Sequence, residues 1–196
     1  GEDLGGAFKG DLQACASAIS SQKGGEWELT LYMSTSLGDG SQANNPWLQE
    51  LPDPVTKIVW DNFIAMNPSD MRSGGYQTKL GQEEVADMAK VTVNGSEIML
   101  PVVAVPGQRK GTISIALGYG RTMAGKTANG VGKNAYPLAS LNGGSVNFVN
   151  TNVTITSTGE KYPVALIQTH NRYDTPQGNR TEVMKEITLA AYKHHP

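Results

Sequence analysis

The stretch Gly120–Thr127, GRTMAGKT, has the spacing G-x-x-x-x-G-K-[ST]. In a phosphate-binding loop of that pattern, backbone N–H groups cradle the phosphates, the lysine reaches them, and the hydroxyl holds magnesium. The chemistry requires a buried strand before the loop and a helix N-terminus after it. The strand is present in GTISIALGY (Gly111–Tyr119). The helix is not: ANGVGKNAYPL carries Gly130, Gly132 and Pro137, which do not propagate one. No later run of four apolar residues ends in an aspartate suited to magnesium. The stretch reads as a Gly-rich loop between strands.

The other reactive side chains form no self-sufficient site. His170 follows a strand in IQTHNRYD, and His194 and His195 are adjacent near the end; none has metal-ligand spacing, and solvent or partner contact is their expected role. No G-x-S-x-G nucleophile elbow occurs. Glu83, Glu84 and Asp87 in GQEEVADMAK read as a solvated helix or turn, because nothing apolar surrounds them to shift a pKa. Trp27, Trp47 and Trp60 are dispersed and read as core or interface anchors. Asn94, Asn152 and Asn179 stand in N-x-[ST] sequons, which carry no information without a secretory context. The single cysteine, Cys15, excludes an internal disulfide framework and a cysteine-bound cluster; it is expected on a helix face as a small buried apolar residue.

The elements that would position these residues follow from composition and periodicity. The 196 residues include 23 glycines, are 38% hydrophobic and carry a net charge of −2, which favours turns over long helices and gives no nucleic-acid footprint. No apolar run approaches the length of a membrane span. LQACASAISS (Leu12–Ser21) has helical spacing, and WELTLYMST (Trp27–Thr35) alternates as a strand. Ser36–Trp47 is a loop, and two prolines flanking Asp53 join WLQEL to VTKIVWDNFIAM by an extended turn. In NPSDMRSGGY (Asn67–Tyr76), Asn67 is a plausible N-cap, Pro68 suits the first helical position, and Gly74 or Gly75 ends a short helix.

Lys90–Gly107 is a hairpin about Asn94-Gly95, the strongest short turn signal. A second hairpin is expected in Asn147–Thr169, giving a weak internal pseudo-repeat, and Pro101 and Pro163 imply edges or bulges. EVMKEITLAAYK near the end reads as a short helix or arm. The sum is a mainly β fold with short helices, in the form of a barrel. The abrupt start and the ending KHHP suggest a domain excised from a longer protein.

In order along the chain, NNPWLQELPDPVTKIVWDNF, MNPSDM, GGY, VTVNGSEIMLPVVAVPGQRKGTISIALGYGRTMAGK and GVGKNAYPL resemble the C-terminal, dinucleotide-binding-type domain of molybdopterin oxidoreductases. More narrowly, LPDPVTKIVWDN, VGKNAYPL and the closing EVMKEITLAAYKHHP are similar to the large iron–sulfur B subunit of bacterial alternative complex III, a quinol:electron-acceptor oxidoreductase. The likeness covers about residues 27–196.

The resemblance implies a six-stranded double-psi β-barrel over residues 27–178, after a helical lead-in at 1–26. It further implies an arm at 179–196 leading to an iron–sulfur domain beyond Pro196. It implies no cofactor within this stretch, iron–sulfur clusters in the following domain, and a non-catalytic role. The partners would be that domain and other subunits of a membrane respiratory complex, on the periplasmic side of the bacterial inner membrane, with neither nucleic acid nor direct membrane insertion. The alternative is the capping domain of an active molybdenum or tungsten enzyme. A retained molybdopterin dinucleotide would then meet Ser34, Thr35 and Ser36 after the first strand, Asn45, and Asn134 in GKNAYPL. The sequence departs from that pattern. Its first loop, STSLGDG, lacks the Arg or His common in pterin binders, and NPSDM…GGYQTKLGQ lacks the Gly-Asp turn.

Overall fold

The computed structural model describes residues 10–20, 24–81, 85–142, 144–168, 174–175, 178–179 and 187–194. Six strands close into a barrel: β1 (Trp27–Tyr32), β2 (Ile64–Met66), β3 (Ala86–Val93), β4 (Ser96–Ala104), β5 (Thr112–Ala116) and β8 (Val149–Tyr162). Two-stranded ribbons are formed by β6 (Ser140–Asn142) with β7 (Ser145–Asn147) and by β9 (Asp174–Thr175) with β10 (Gly178–Asn179). Four short helices, α1 (Leu12–Ser20), α2 (Pro46–Glu50), α3 (Pro68–Ser73) and α4 (Leu189–His194), and a 3-10 turn at Tyr136–Leu138 complete the described elements. None of these helices is long and apolar enough to cross a membrane.

Around the barrel the order is β1-β5-β2-β4-β3-β8. Exchanging the first three strands in sequence for the last three reproduces this order read backwards. The parallel pairs β1·β5 and β2·β4 then exchange, as do the antiparallel pairs β1·β8 and β3·β4, while β2·β5 and β3·β8 map onto themselves. The axis of this two-fold passes through the β3·β8 ladder. There Val91-Thr92-Val93 lies against Ile155-Thr154-Val153, pair for pair. This is the six-stranded double-psi barrel expected, and the internal repeat relates β3 to β8 rather than hairpin to hairpin.

Alternation builds the interior. Leu29 and Leu31 of β1, Ile113 and Ile115 of β5, Ile64 and Met66 of β2, and Val91 and Val93 of β3 fill the barrel. Each such side chain contributes roughly 1.5–3 kcal/mol by leaving water. The parallel pair β2·β4 is buried on both faces. Its outer face, Ala65 and Val103, lies under Ile58, Phe63 and Leu80.

Several expectations need correction. Asn147–Thr169 is not a hairpin: β8 runs unbroken through TSTGEKY, and Gly159 (φ 74°) serves near an irregularity opposite Asp87–Ala89 instead of a turn. Pro101 is in an interior strand. It sits where the β3·β4 register ends and just before β2 begins to pair, at Val102, so its missing N–H interrupts neither ladder midway. Asp87 is in β3, accepting the Gln77 N–H and paired with Lys161; Glu83 and Glu84 lie outside the described residues. Cys15 is exposed, because α1 buries no residue. In WELTLYM, Leu29 and Leu31 are core and Met33 alone is openly exposed. Trp27 packs on the core and Trp47 is exposed. His194 is exposed in α4, while His170 and His195 lie outside the described residues.

Candidate functional site

β1 and β5 run parallel and leave the barrel at one rim, where the loops after Tyr32 and after Ala116 meet the segment that enters β2. Two backbone crossings and one close side-chain approach lock them. A Cβ on Gly40 would lie 2.5 Å from Gly118 Cα, one on Gly120 would lie 2.0 Å from the Asn134 nitrogen, and one on Gly132 would lie 2.7 Å from Asn62 Oδ1. Asn62, 1% exposed, ties the segment that enters β2 to the end of β5 and to the loop after it. Its Nδ2 donates to the Ala116 and Lys133 carbonyls at 3.0 and 2.9 Å, and its Oδ1 accepts the Lys133 N–H at 2.9 Å. Leu37, Ala43 and Ala128 form a small core of their own under the loops, with Leu48, Tyr119 and Ala124 against it.

The GRTMAGKT loop is part of this rim, and the N–H groups of Gly120, Ala124 and Thr127 are occupied. Asn44 Oδ1 accepts the N–H groups of Thr127 (3.0 Å) and Ala128 (3.3 Å), and Asn129 Oδ1 accepts that of Ala124 (2.8 Å). The Asn44 carboxamide takes two N–H groups at the end of the loop that a phosphate would otherwise use. No helix follows Thr127; turns lead instead to the 3-10 turn at Tyr136. The loop is a rim structure, not a nucleotide cradle.

Ser34, Thr35 and Ser36 come together in a cleft with Tyr32, Asp53, Asp61 and Tyr119. Ser34 Oγ accepts the Leu37 N–H at 3.1 Å and lies 3.2 Å from Ser36 Oγ, so these hydroxyls shape the turn after β1. Asp53 Oδ1 accepts from the Val55 N–H, the Thr56 N–H and Thr56 Oγ1. Tyr162 at the end of β8 donates to Asp61 Oδ2 at 2.8 Å. Lys57 and Trp60, both with positive φ (62° and 69°), turn the chain between the aspartates. The cavity left has a volume of about 10 Å³, the room of one water.

The electrostatics of the cleft favour neutral phenols. Burial, then the charges of Asp53 and Tyr119, hold the Tyr32 phenol far above its ordinary value. Burial raises Tyr119, the hydroxyls of Ser36 and Ser34 oppose the rise, and Asp53 and Asp61 add to it. Burial and the bond to Asp61 push Tyr162 up to about 12. Phenols with raised values stay protonated at neutral pH, and Tyr162 donates its hydrogen bond to Asp61.

Asn134 is elsewhere on the rim. It lines an open groove of about 370 Å³ with Tyr119, Arg121, Met123 and Tyr136. Arg121 Nη2 and the Tyr136 hydroxyl both donate to the Asp39 carbonyl, at 3.1 and 2.9 Å. Asn134 Oδ1 accepts the Tyr136 N–H (3.1 Å) and so shapes the 3-10 turn. Asn45 joins neither place: it is the N-cap of α2, accepting the Trp47 N–H at 3.0 Å. The residues that sequence reasoning missed are Asp53, Asp61, Asn62 and the tyrosines. Asn62 has a legible trace, a polar residue directly before the buried Phe63-Ile64. Among the described residues no group of three or more His, Cys, Asp or Glu is placed to hold a metal ion.

No family model matches the sequence, and no curated protein does. Among solved structures the chain is similar to acetylene hydratase from Pelobacter acetylenicus, at 15% identity and a TM-score of 0.47. The likeness covers 66% of this chain and 18% of that one, so the chain spans less than a fifth of the enzyme's length. At that score it carries no argument; the barrel rests on its own strand order.

A molybdopterin dinucleotide does not fit the residues that the sequence resemblance offers for it. The Ser34–Ser36 cleft has room for a water, and Asp53 and Asp61 in its walls would repel an anionic diphosphate. The side-chain oxygens of Asn45 and Asn134 already accept backbone N–H groups.

Proposed function

We propose that this barrel is a non-catalytic scaffold domain of a molybdoenzyme-like iron–sulfur subunit, in a membrane-associated quinol:electron-acceptor oxidoreductase. The observation that carries the reading is the contrast on one rim. The cleft that would receive a cofactor is closed and acidic, while large apolar side chains of the long loops face solvent: Trp47 is 82% exposed and Met123 96%. Exposed Trp and Met are the side chains that docking surfaces use. The sequence resemblance supplies the setting, with the partners being the iron–sulfur domain that follows and neighbouring subunits on the periplasmic side of the membrane. The barrel then holds its neighbours in place and performs no bond chemistry.

Elemental analysis of the intact parent protein for molybdenum, tungsten and iron, with a fluorescence assay for oxidised pterin, tests this. Iron without molybdenum, tungsten or pterin is the expected result. Stoichiometric pterin with either metal would overturn it and make the groove beside Asn134 a working site. Charge at the rim, Trp47→Glu with Met123→Glu, is expected to release the subunit from its complex with the barrel still folded.

A further inference from the structure

The chain has three Asn-Gly dipeptides, at 94–95, 129–130 and 142–143. In such a pair the glycine's backbone nitrogen can attack the asparagine side-chain carbonyl carbon, since no Cβ obstructs the approach. A nitrogen–carbon bond forms, ammonia leaves, and a succinimide results. Water then opens the ring at either carbonyl, giving aspartate or its β-linked isomer. The reaction needs only water and base, but it needs the glycine N–H and the carboxamide both free to move.

At Asn129-Gly130 both are held. Asn129 Oδ1 accepts the Ala124 N–H at 2.8 Å, and the Gly130 N–H donates to the Arg121 carbonyl at 2.9 Å. At Asn94-Gly95 neither is held. The pair is the exposed tip of the β3–β4 hairpin, with φ of 50° and 83°. Nothing lies within 4 Å of where a Gly95 Cβ would be. Among the described residues, neither the Asn94 carboxamide nor the Gly95 N–H has a hydrogen-bond partner. Gly143 lies outside the described residues.

We propose that Asn94 is a site of spontaneous deamidation and isomerisation, from which the fold protects Asn129. The β-linked product adds a backbone carbon to a two-residue turn that joins two interior strands of the barrel, and the charge of the loop falls by one. The turn type tolerates only left-handed residues at both central positions, so the lengthened turn loosens the hairpin at Val93–Ser96.

The test is peptide mapping of the whole chain after prolonged incubation at mildly alkaline pH, folded and in denaturant, with isoaspartate read by enzymatic methylation. In the folded chain Asn94 is expected to convert roughly tenfold to a hundredfold faster than Asn129, the effect of two hydrogen bonds that must open at the latter. In denaturant the two rates should converge. Conversion at Asn94 no faster than at Asn129 in the folded chain overturns the proposal, as does a difference that persists in denaturant.

Discussion

The barrel has two rims that its internal two-fold exchanges, and they differ in how they are closed. At one, β2 and β4 end, and one connection is short: 105–111 carries β4 straight to β5, while the longer 67–85 begins with α3 at the exit of β2. Asn67 caps α3, accepting the Ser69 N–H and donating to the Gln108 carbonyl, and Asp70 accepts the Gly111 N–H. At the other rim β1 and β5 end, and the connections, 33–63 and 117–148, are several times longer than 105–111. These loops have their own small core, their own glycine crossings and one buried asparagine. A symmetric barrel therefore holds one rim that is a cap and one that is a surface. Asymmetric loops on a symmetric strand frame are what give such a fold a face to work with.

Substitutions matched across the two rims sharpen or break this contrast. Gly120→Ala places a Cβ against the backbone of Asn134 at a positive φ. We expect a loss of about 4 kcal/mol in urea denaturation, whereas Gly107→Ala, with open space around it, should cost about 1–2 kcal/mol for its left-handed backbone alone. Equal losses would show that the crossing does not hold the long rim.

Two asparagines bracket β2, one per rim, and give the next comparison. Asn62→Ala strands buried carbonyls of Ala116 and Lys133 and should cost about 3 kcal/mol. Asn67→Ala removes a helix cap and should cost about 1 kcal/mol. Asn44→Ala frees the Thr127 and Ala128 amides, with a loss of about 1–2 kcal/mol. ATP binding by that variant in calorimetry would show a suppressed phosphate site; none is expected, because the helix is missing.

The smallest effect concerns alkaline pH. Tyr32 and Tyr119 at the long rim, and Tyr162, whose hydroxyl reaches Asp61 in the 33–63 connection, all have raised folded pKa values. A phenol raised on folding contributes stability that is present below its ordinary value of about 10 and is lost as pH rises through the folded value. Stability should therefore fall from about pH 10 upward, reaching about 12 for Tyr162. Tyr162→Phe should flatten that part of the fall. Asp87 behaves in the opposite sense: burial raises it, but the Gln77 N–H and Lys161 outweigh this and leave it lowered. Its contribution is present above the ordinary aspartate range and is lost as pH falls through the lowered folded value.

Local signals were legible where one short segment decides the structure. Asn94-Gly95 fixed the β3–β4 turn, and Asn67-Pro68 with Gly74 bounded α3. GKT was readable as a loop because the helix after it was missing. Legibility ended where a distant partner decides. TSTGEKY looks like a turn until β3 pairs with it along its length, and the alternating signal is weak because most of that half of β8 faces solvent. Asn45 and Asn134 were legible as polar loop residues, but which backbone N–H each accepts is set by the turn it shapes. The cleft assembled from Tyr32, Asp53, Asp61 and Tyr119 unites positions with no periodic relation, so no pattern along the chain could group them.

β8 bears on how the chain comes off the ribosome. Its first half pairs with β1, the first of the barrel strands to be made, and its second half with β3. Until Val149–Tyr162 has emerged, Trp27–Tyr32 and Ala86–Val93 each present an open edge. Vectorial synthesis therefore cannot finish the barrel half by half; closure waits for the last strand and joins segments more than a hundred residues apart. Such late, long-range pairing makes the nascent state slow to close and prone to mispairing. A chaperone that shields strand edges would act on this protein before its sixth barrel strand is complete.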